Sequence, residues 1–371
     1  MLKSKEPIAI VGIGCRTPGK VYGPNDLWEM LCAGIDCITT VPSERWNMDY
    51  YDPNPDKTGK IKTNRGGFIE GIDLFDNEFF NIFPKEAVDI DPQQRLLLQC
   101  TFEALEDAGE KFENCQGSRT AVYAGYFNND YQRILLDPSN RYDITPDIII
   151  GTHATSLANR ISYFYNFKGP SITLNTACSS SLVAVHLACQ DIWNQAADAA
   201  IAGGISININ PLSAMALSKK NFLSPDGACK SFDESGNGYV RGEGVGLVYL
   251  KPLSKALTDQ NKIYGLICGS ACNSDGYTAE GFSVPSSDAQ AIMLQEAYHN
   301  ADIDVANVQF IEAHGTGTPK GDLAETEAFA KVFSHRPIEH PLLIGSIKSN
   351  FGHLEGAAGI VGNQTGFMLT S

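Results

Sequence analysis

The 371-residue chain has no Cys-x-x-Cys pair, no Walker phosphate loop and no apolar run of membrane-spanning length. The first absence removes zinc knuckles and thioredoxin-type redox chemistry, although ten cysteines are present. Their density is far below that of a disulfide scaffold, and many fall in apolar runs, as reduced buried thiols do. The second absence withdraws the usual nucleoside-triphosphate loop. The third excludes a membrane-spanning helix, which needs roughly 18 consecutive apolar residues. The segment before Cys15 places lysines ahead of an apolar stretch, but Pro7 interrupts it and Ile8–Ile13 is too short for a secretion signal. Positive charge is also scarce. Lys and Arg number 28 against 43 Asp and Glu, a net charge of −15. That field repels phosphate backbones, so nucleic acid is not an expected partner. Charged residues of both signs make up only 19%, below the typical value of about 25%, which suits a large interior. These absences leave a cytoplasmic protein with no metal site, no membrane segment and no nucleic-acid partner.

Short β-branched runs alternate with longer helical stretches, the pattern of an α/β protein. Ile8–Ile13, Thr120–Gly125, Ser171–Asn175, Ala199–Ile209, Gly246–Leu250, Ile263–Cys268, Val308–Glu312 and Leu342–Ser346 read as strands. Pro92–Ala108, Ser179–Gln195, Ser287–His299 and Asp322–Phe333 carry helical periodicity. Residues 36–80 are rich in Asp, Asn, Pro and Tyr and read as an irregular surface insertion. No low-complexity linker divides the chain. Strand–helix units before and after about residue 255 suggest two similar halves, 1–255 and 256–371.

Three loops carry chemistry. In NTACSSSL, Cys178 follows a strand and precedes an apolar helix, so the helix dipole and free N–H groups there favour a thiolate. Its own N–H is also placed to hold a developing oxyanion. Residue type alone leaves Cys178 open between a nucleophile and a buried structural thiol. Cys189 and Cys268, within apolar runs, read as buried. In EAHGTGT, His314 follows a strand in a glycine-rich loop, with Thr316 and Thr318 as hydroxyl donors. In KSNFGHLEGAAG, Lys348, Asn350 and His353 crowd a turn after another strand. His186 reads as core, and His299, His335 and His340 as surface. Two patterns mislead. Gly12-Ile-Gly14 lacks the spacing of a dinucleotide fingerprint, and Cys178 lacks the flanking glycines of an α/β-hydrolase elbow.

Taken together, these loops resemble the β-ketoacyl synthase family, and most of all the ketosynthase domain of modular polyketide synthases. The resemblance runs over about residues 6–360 and rests on several motifs in the expected order. IAIVGIGCRTPG matches the family's opening strand, and Asp91-Pro92-Gln93-Gln94-Arg95 a subgroup hallmark. NTACSSSL is similar to its nucleophile motif, followed by GYVRGEGVG (Gly238–Gly246), EAHGTGT and KSNFGHLEGAAG.

The resemblance implies a thiolase-like fold, two βαβαβαββ halves in a five-layered α-β-α-β-α body, usually a homodimer. It implies that Cys178 accepts an acyl chain from an acyl carrier protein as a thioester. His314 and His353 then promote decarboxylation of a malonyl-type extender, and Lys348 supports the second histidine. Thr316 and Thr318, with Asn350 nearby, match positions at the substrate's phosphopantetheine arm, which arrives on the carrier, so no tightly bound cofactor is implied. The outcome is decarboxylative Claisen condensation in polyketide or fatty-acid biosynthesis.

Two departures stand out. A GDPIE-like string is here Gly321-Asp322-Leu323-Ala324-Glu325. The family also continues through two further strands and a GFGGTNAH-like segment that supplies a second oxyanion N–H, so the C-terminal half is expected to be truncated. The competing expectation is therefore a catalytically impaired protein that binds carriers as an interaction module.

Overall fold

The computed structural model describes residues 5–54, 57–279, 281–337 and 339–370. Its centre is a six-stranded mixed sheet built from β1 (Ile8–Arg16), β4 (Thr120–Gly125), β5 (Ser171–Leu174), β6 (Ala199–Ser206), β7 (Gly244–Pro252) and β8 (Gly265–Ile267). The order is β5-β4-β6-β7-β1-β8. β4 runs parallel to β5 and β6, while β7 is antiparallel to β6 and β1. β4, β6 and nearly all of β1 and β7 are buried, as near-continuous apolar runs covered on both faces must be. A small ladder, β2 (Thr39–Thr40) with β3 (Arg65–Gly66), lies within residues 36–80.

Two apolar cores cover the two faces. On one, Val11, Val122, Ile201 and Leu247 meet Leu97, Leu98 and Ile161 of the Pro92–Asp107 and Ser156–Phe164 helices. On the other, Ile8, Ile10, Val248 and Leu250 meet Ala184, Ala188, Ile360 and Val361 of the Ser180–Trp193 and Ala358–Thr370 helices. The Ala358–Thr370 helix also backs a second sheet, β9 (Phe310–Glu312) parallel to β10 (Leu343–Gly345). A third core joins that sheet to the Ser287–Ala301 and Pro319–Phe333 helices. The layers therefore run α-β-α-β-α.

Two expectations need correction, and one strand pairing lies outside what the sequence pattern predicts. β8 hydrogen-bonds to β1 at the edge of the first sheet, so the second sheet has two strands among the described residues. Residues 36–80 are irregular but are not confined to the surface. Ile69, Ile72 and Phe80 enter the first core, and Arg45 pairs with the fully buried Glu243 at 2.9 Å. Cys268 ends an edge strand and is half-buried, whereas Cys189 is buried as expected.

The hallmark Asp91–Arg95 has an architectural use. Asp91 caps its helix by accepting the Gln93 N–H at 2.8 Å, and Gln94 donates to the Gly151 carbonyl at 2.8 Å. Gly12 and Gly14 are explained by helix packing rather than by a dinucleotide. A Cβ on Gly14 would lie 2.1 Å from the Cys100 carbonyl oxygen, and one on Gly12 would lie 2.0 Å from that of Ala104. The sheet and the Pro92–Asp107 helix touch backbone to backbone. Gly14→Ala is expected to lower stability by about 1–3 kcal/mol, the usual cost of overpacking. A urea midpoint unchanged from wild type would contradict that packing.

Candidate active site

Strand register decides which loops meet. β9 and β10 are parallel, with Gly345 opposite Glu312, so the loops carrying His314 and Lys348 leave the same edge side by side. Ala313 N–H donates to the Gly345 carbonyl at 2.8 Å, which continues the pairing to the residue before His314. Two carboxylates from the next helix then hold the glycine-rich loop. Glu325 accepts the N–H groups of His314 at 2.7 Å and Gly315 at 2.8 Å, and Asp322 accepts that of Gly317 at 3.1 Å. Gly315 and Gly317 have φ of 43° and 78°, the left-handed region that glycine tolerates. In the Gly321–Glu325 departure, Asp322 and Glu325 thus keep contacts to the loop, while the altered Leu323 is exposed.

Cys178 comes from the other sheet. β5 ends at Leu174, and a hydrogen-bonded turn follows before the Ser180–Trp193 helix. Asn175 Oδ1 accepts the Ala177 N–H and Ser180 Oγ accepts that of Thr176, both at 2.9 Å. Ala177 sits at φ 58°, a conformation non-glycine residues avoid, and this sharp turn lifts Cys178 to the helix start. Residue pattern gave no sign of that strain.

The structure brings Cys178, His314 and His353 together. Their donor atoms lie within 4.8 Å of one another, and the two imidazole centroids are 5.3 Å apart at 84°. One thiol and two imidazoles are also a donor set that Zn²⁺ accepts. His353 is buried and its Nδ1 accepts the Glu355 N–H at 3.0 Å. Lys348 is buried beside this group. Thr316 and Thr318 are paired through their hydroxyls at 3.0 Å. Asn350 is engaged elsewhere: its Nδ2 donates to the Ile35 carbonyl at 3.0 Å, and its own carbonyl accepts the Cys37 N–H.

The charges set the chemistry. Burial lowers Lys348, while Glu312, Cys229, Glu325 and Cys178 raise it. Glu312 is pushed up to about 7 by burial, opposed by the Ile347 N–H and by Lys348. Its importance was not visible in sequence, where it reads only as the end of a strand. Burial, then the Lys348 charge, lowers both His314 and His353. The His314 side also faces solvent, and the direction there still leaves a neutral ring. Burial raises the Cys178 thiol, while Lys348 and the residue's own N–H pull it down. His186 is half-buried, with Nδ1 at 2.8 Å from Ser270 Oγ, and takes no part in the cluster.

A thiol raised by burial and eased by one ammonium ion has a definite pH signature. Alkylation of Cys178 by iodoacetamide should keep accelerating past pH 9, and Lys348→Met should move the profile to higher pH. A profile unmoved by that substitution, or moved to lower pH, would contradict the electrostatics.

Comparison with known proteins places these features in context. The family models for the N-terminal and C-terminal domains of beta-ketoacyl synthase match residues 5–256 and 264–369. A phenolphthiocerol/phthiocerol polyketide synthase of Mycobacterium tuberculosis is 44% identical over 360 residues, 96% of this chain and 20% of that protein. The polyketide synthase PksL of Bacillus subtilis is 45% identical, over 97% of this chain and 8% of its own length. Among solved structures, the oxazolomycin ketosynthase domain OzmH KS7 of Streptomyces albus superposes with a TM-score of 0.93 at 38% identity, covering 98% of this chain and 62% of that one. The ketosynthase from module 6 of the Bacillus subtilis bacillaene synthase gives 0.89 at 39% identity, covering 98% and 61%. The chain thus spans a fifth or less of these two curated relatives. Its α-β-α-β-α body is the thiolase-like fold of those ketosynthase domains.

Proposed function

The chain belongs to the β-ketoacyl synthase family, and from that premise we propose that it catalyses decarboxylative Claisen condensation on carrier-bound thioesters in polyketide assembly. The observation that carries this reading is the Cys178–His314–His353 cluster, within 4.8 Å, with Lys348 buried beside it. A protein that only bound carriers would have no use for that donor set. We read residues 1–255 as the half that supplies the nucleophile and 256–371 as the half that supplies both imidazoles.

In the first half-reaction the Cys178 thiolate attacks the acyl thioester carbonyl of an acyl carrier protein. A new C–S bond forms, the old one breaks, and the proton that Cys178 gave up leaves on the phosphopantetheine sulfur. In the second, the malonyl-type extender loses CO₂, and the electron pair of the broken C–C bond becomes an enolate. That carbon attacks the Cys178 thioester and expels the thiolate, leaving a β-ketoacyl chain on the carrier. No C–H bond need be broken by a base. What the step needs is donors aimed at developing negative oxygen, and neutral imidazoles lowered by burial and by Lys348 suit that task. Thr316 and Thr318 are assigned to the arm of the incoming substrate. Asn350, tied to Ile35, is the weakest of the substrate assignments.

The partners follow from surface and charge. With a net charge of −15, an acidic carrier must dock on a local basic patch. Among the described residues β5 is a sheet edge with Ile172 exposed, which supports a homodimer formed edge to edge. Ten unpaired cysteines suit a reducing, cytoplasmic setting. Among the described residues no helix is long and apolar enough to cross a membrane.

Incubation with an acyl-pantetheine thioester should add one acyl mass to the protein, mapped to Cys178, and Cys178→Ala should take up none. His353→Ala should still load while losing roughly 10²–10³-fold in malonyl decarboxylation, the usual loss for one oxyanion donor. Label on another cysteine, or none, would sink the proposal.

A further inference from the structure

We propose that Arg241 and Glu355 are a positioning pair that keeps the proton of His353 on Nε2, a role that rests on reading His353 as a donor to substrate oxygen. The argument starts at the ring. A neutral imidazole has one N–H, and Nδ1 of His353 accepts the Glu355 N–H at 3.0 Å. The proton must then sit on Nε2, the only nitrogen left to donate. The tautomer therefore depends on where the Glu355 N–H points.

That N–H is held by an unusual local structure. Glu355 adopts φ 48°, a region side-chain-bearing residues avoid and glycine enters freely. What retains a glutamate there is its carboxylate. Arg241 Nε donates to Oε1 at 2.6 Å and Nη2 to Oε2 at 2.9 Å, while Ser206 Oγ donates to Oε2 at 2.9 Å. Glu355 is 1% exposed and Arg241 7%. The same arginine is fixed from behind by Asn208 Oδ1.

Arg241 also governs the main chain of His353. The two residues form a parallel bridge: His353 N–H donates to the Val240 carbonyl, and Gly242 N–H donates to that of His353, both at 2.8 Å. One segment, Val240–Gly242, thus sets the backbone of His353 directly and its ring through Glu355.

Stability alone does not account for the pair. A buried ion pair is often no better than apolar residues of the same volume, and its best-attested benefit is specification of one arrangement. Here Arg241 Nη1 is left without a hydrogen-bond partner, a further cost that a purely structural element would avoid.

The test uses ¹⁵N-histidine-labelled protein, malonyl-pantetheine for decarboxylation and acyl-pantetheine for Cys178 loading. The variants are Arg241→Met, Arg241→Lys and the double variant Arg241→Met/Glu355→Gln. The double variant leaves no unpaired buried charge, so the question stays answerable if Arg241→Met does not fold. Wild-type His353 should show a protonated Nε2 and a bare Nδ1. Arg241→Met and the double variant should show a mixture of tautomers. Their decarboxylation kcat should fall at least tenfold further than their loading rate, with KM within threefold, and Arg241→Lys should restore part of both readouts. An unchanged Nε2–H signal in a folded variant would overturn the proposal, as would equal loss of loading and decarboxylation. A wild-type protein that neither loads nor decarboxylates would count against the condensation reading itself, and the tautomer signal would still decide the pair.

Discussion

A buried lysine is the constraint around which the site is arranged. Lys348 is 5% exposed, and a charge so placed persists only with compensation nearby. Glu312 and Glu325 act on it through space while accepting backbone N–H groups, and burial pushes both carboxylates upward. The same charge opposes the burial that raises the Cys178 thiol and adds to the burial that lowers both imidazoles. On the condensation reading proposed above, one cation bears on the nucleophile and on both donors at once. If Lys348 were neutral, the thiol would be less acidic and the histidines easier to protonate. Each change would oppose the chemistry.

Strand register and the spacing of the layers set where these groups stand. Cys178 leaves the edge of the first sheet, while His314 and Lys348 leave adjacent strands of the second. The Ser180–Trp193 and Ala358–Thr370 helices lie between the sheets and share one core. Close approach is purchased with small residues, among them Ala184, Ala188 and Ala357 in that core. Backbone contacts at Gly12 and Gly14 serve the opposite face in the same way. The positions of the reactive groups are thus consequences of sheet register and interlayer spacing.

Much of this was legible in the residues, for identifiable reasons. Thr120–Gly125 stands in the structure with the boundaries its pattern predicts, because a strand covered on both faces leaves a sharp apolar run. Cys178, His314 and His353 were each marked by a strand followed by small or hydroxyl residues, and the structure draws all three together. Features set by distant partners were not legible. The attachment of Gly265–Ile267 to β1 depends on sheet assembly. Residues 36–80 look like surface by composition, yet bury Ile69 and Phe80 because Glu243, far along the chain, anchors Arg45 and the Ile69 N–H. Asn350 shares a loop with the site but turns to Ile35. Asp322 and Glu325 show in sequence only as part of a GDPIE-like string, and their hold on the glycine-rich loop appears only in the structure.

The central claim is that one thiol and two neutral imidazoles couple loss of CO₂ to formation of a carbon–carbon bond. A single-turnover reaction tests it most directly, with Cys178 loaded by an acyl-pantetheine thioester and then exposed to a malonyl thioester carrying ¹³C in its free carboxylate. The account predicts that ¹³CO₂ and a β-ketoacyl product form together, in equal amounts, as the Cys178 thioester disappears. Release of ¹³CO₂ while the acyl-enzyme persists, or hydrolysis of the acyl-enzyme without a β-ketoacyl product, would contradict it.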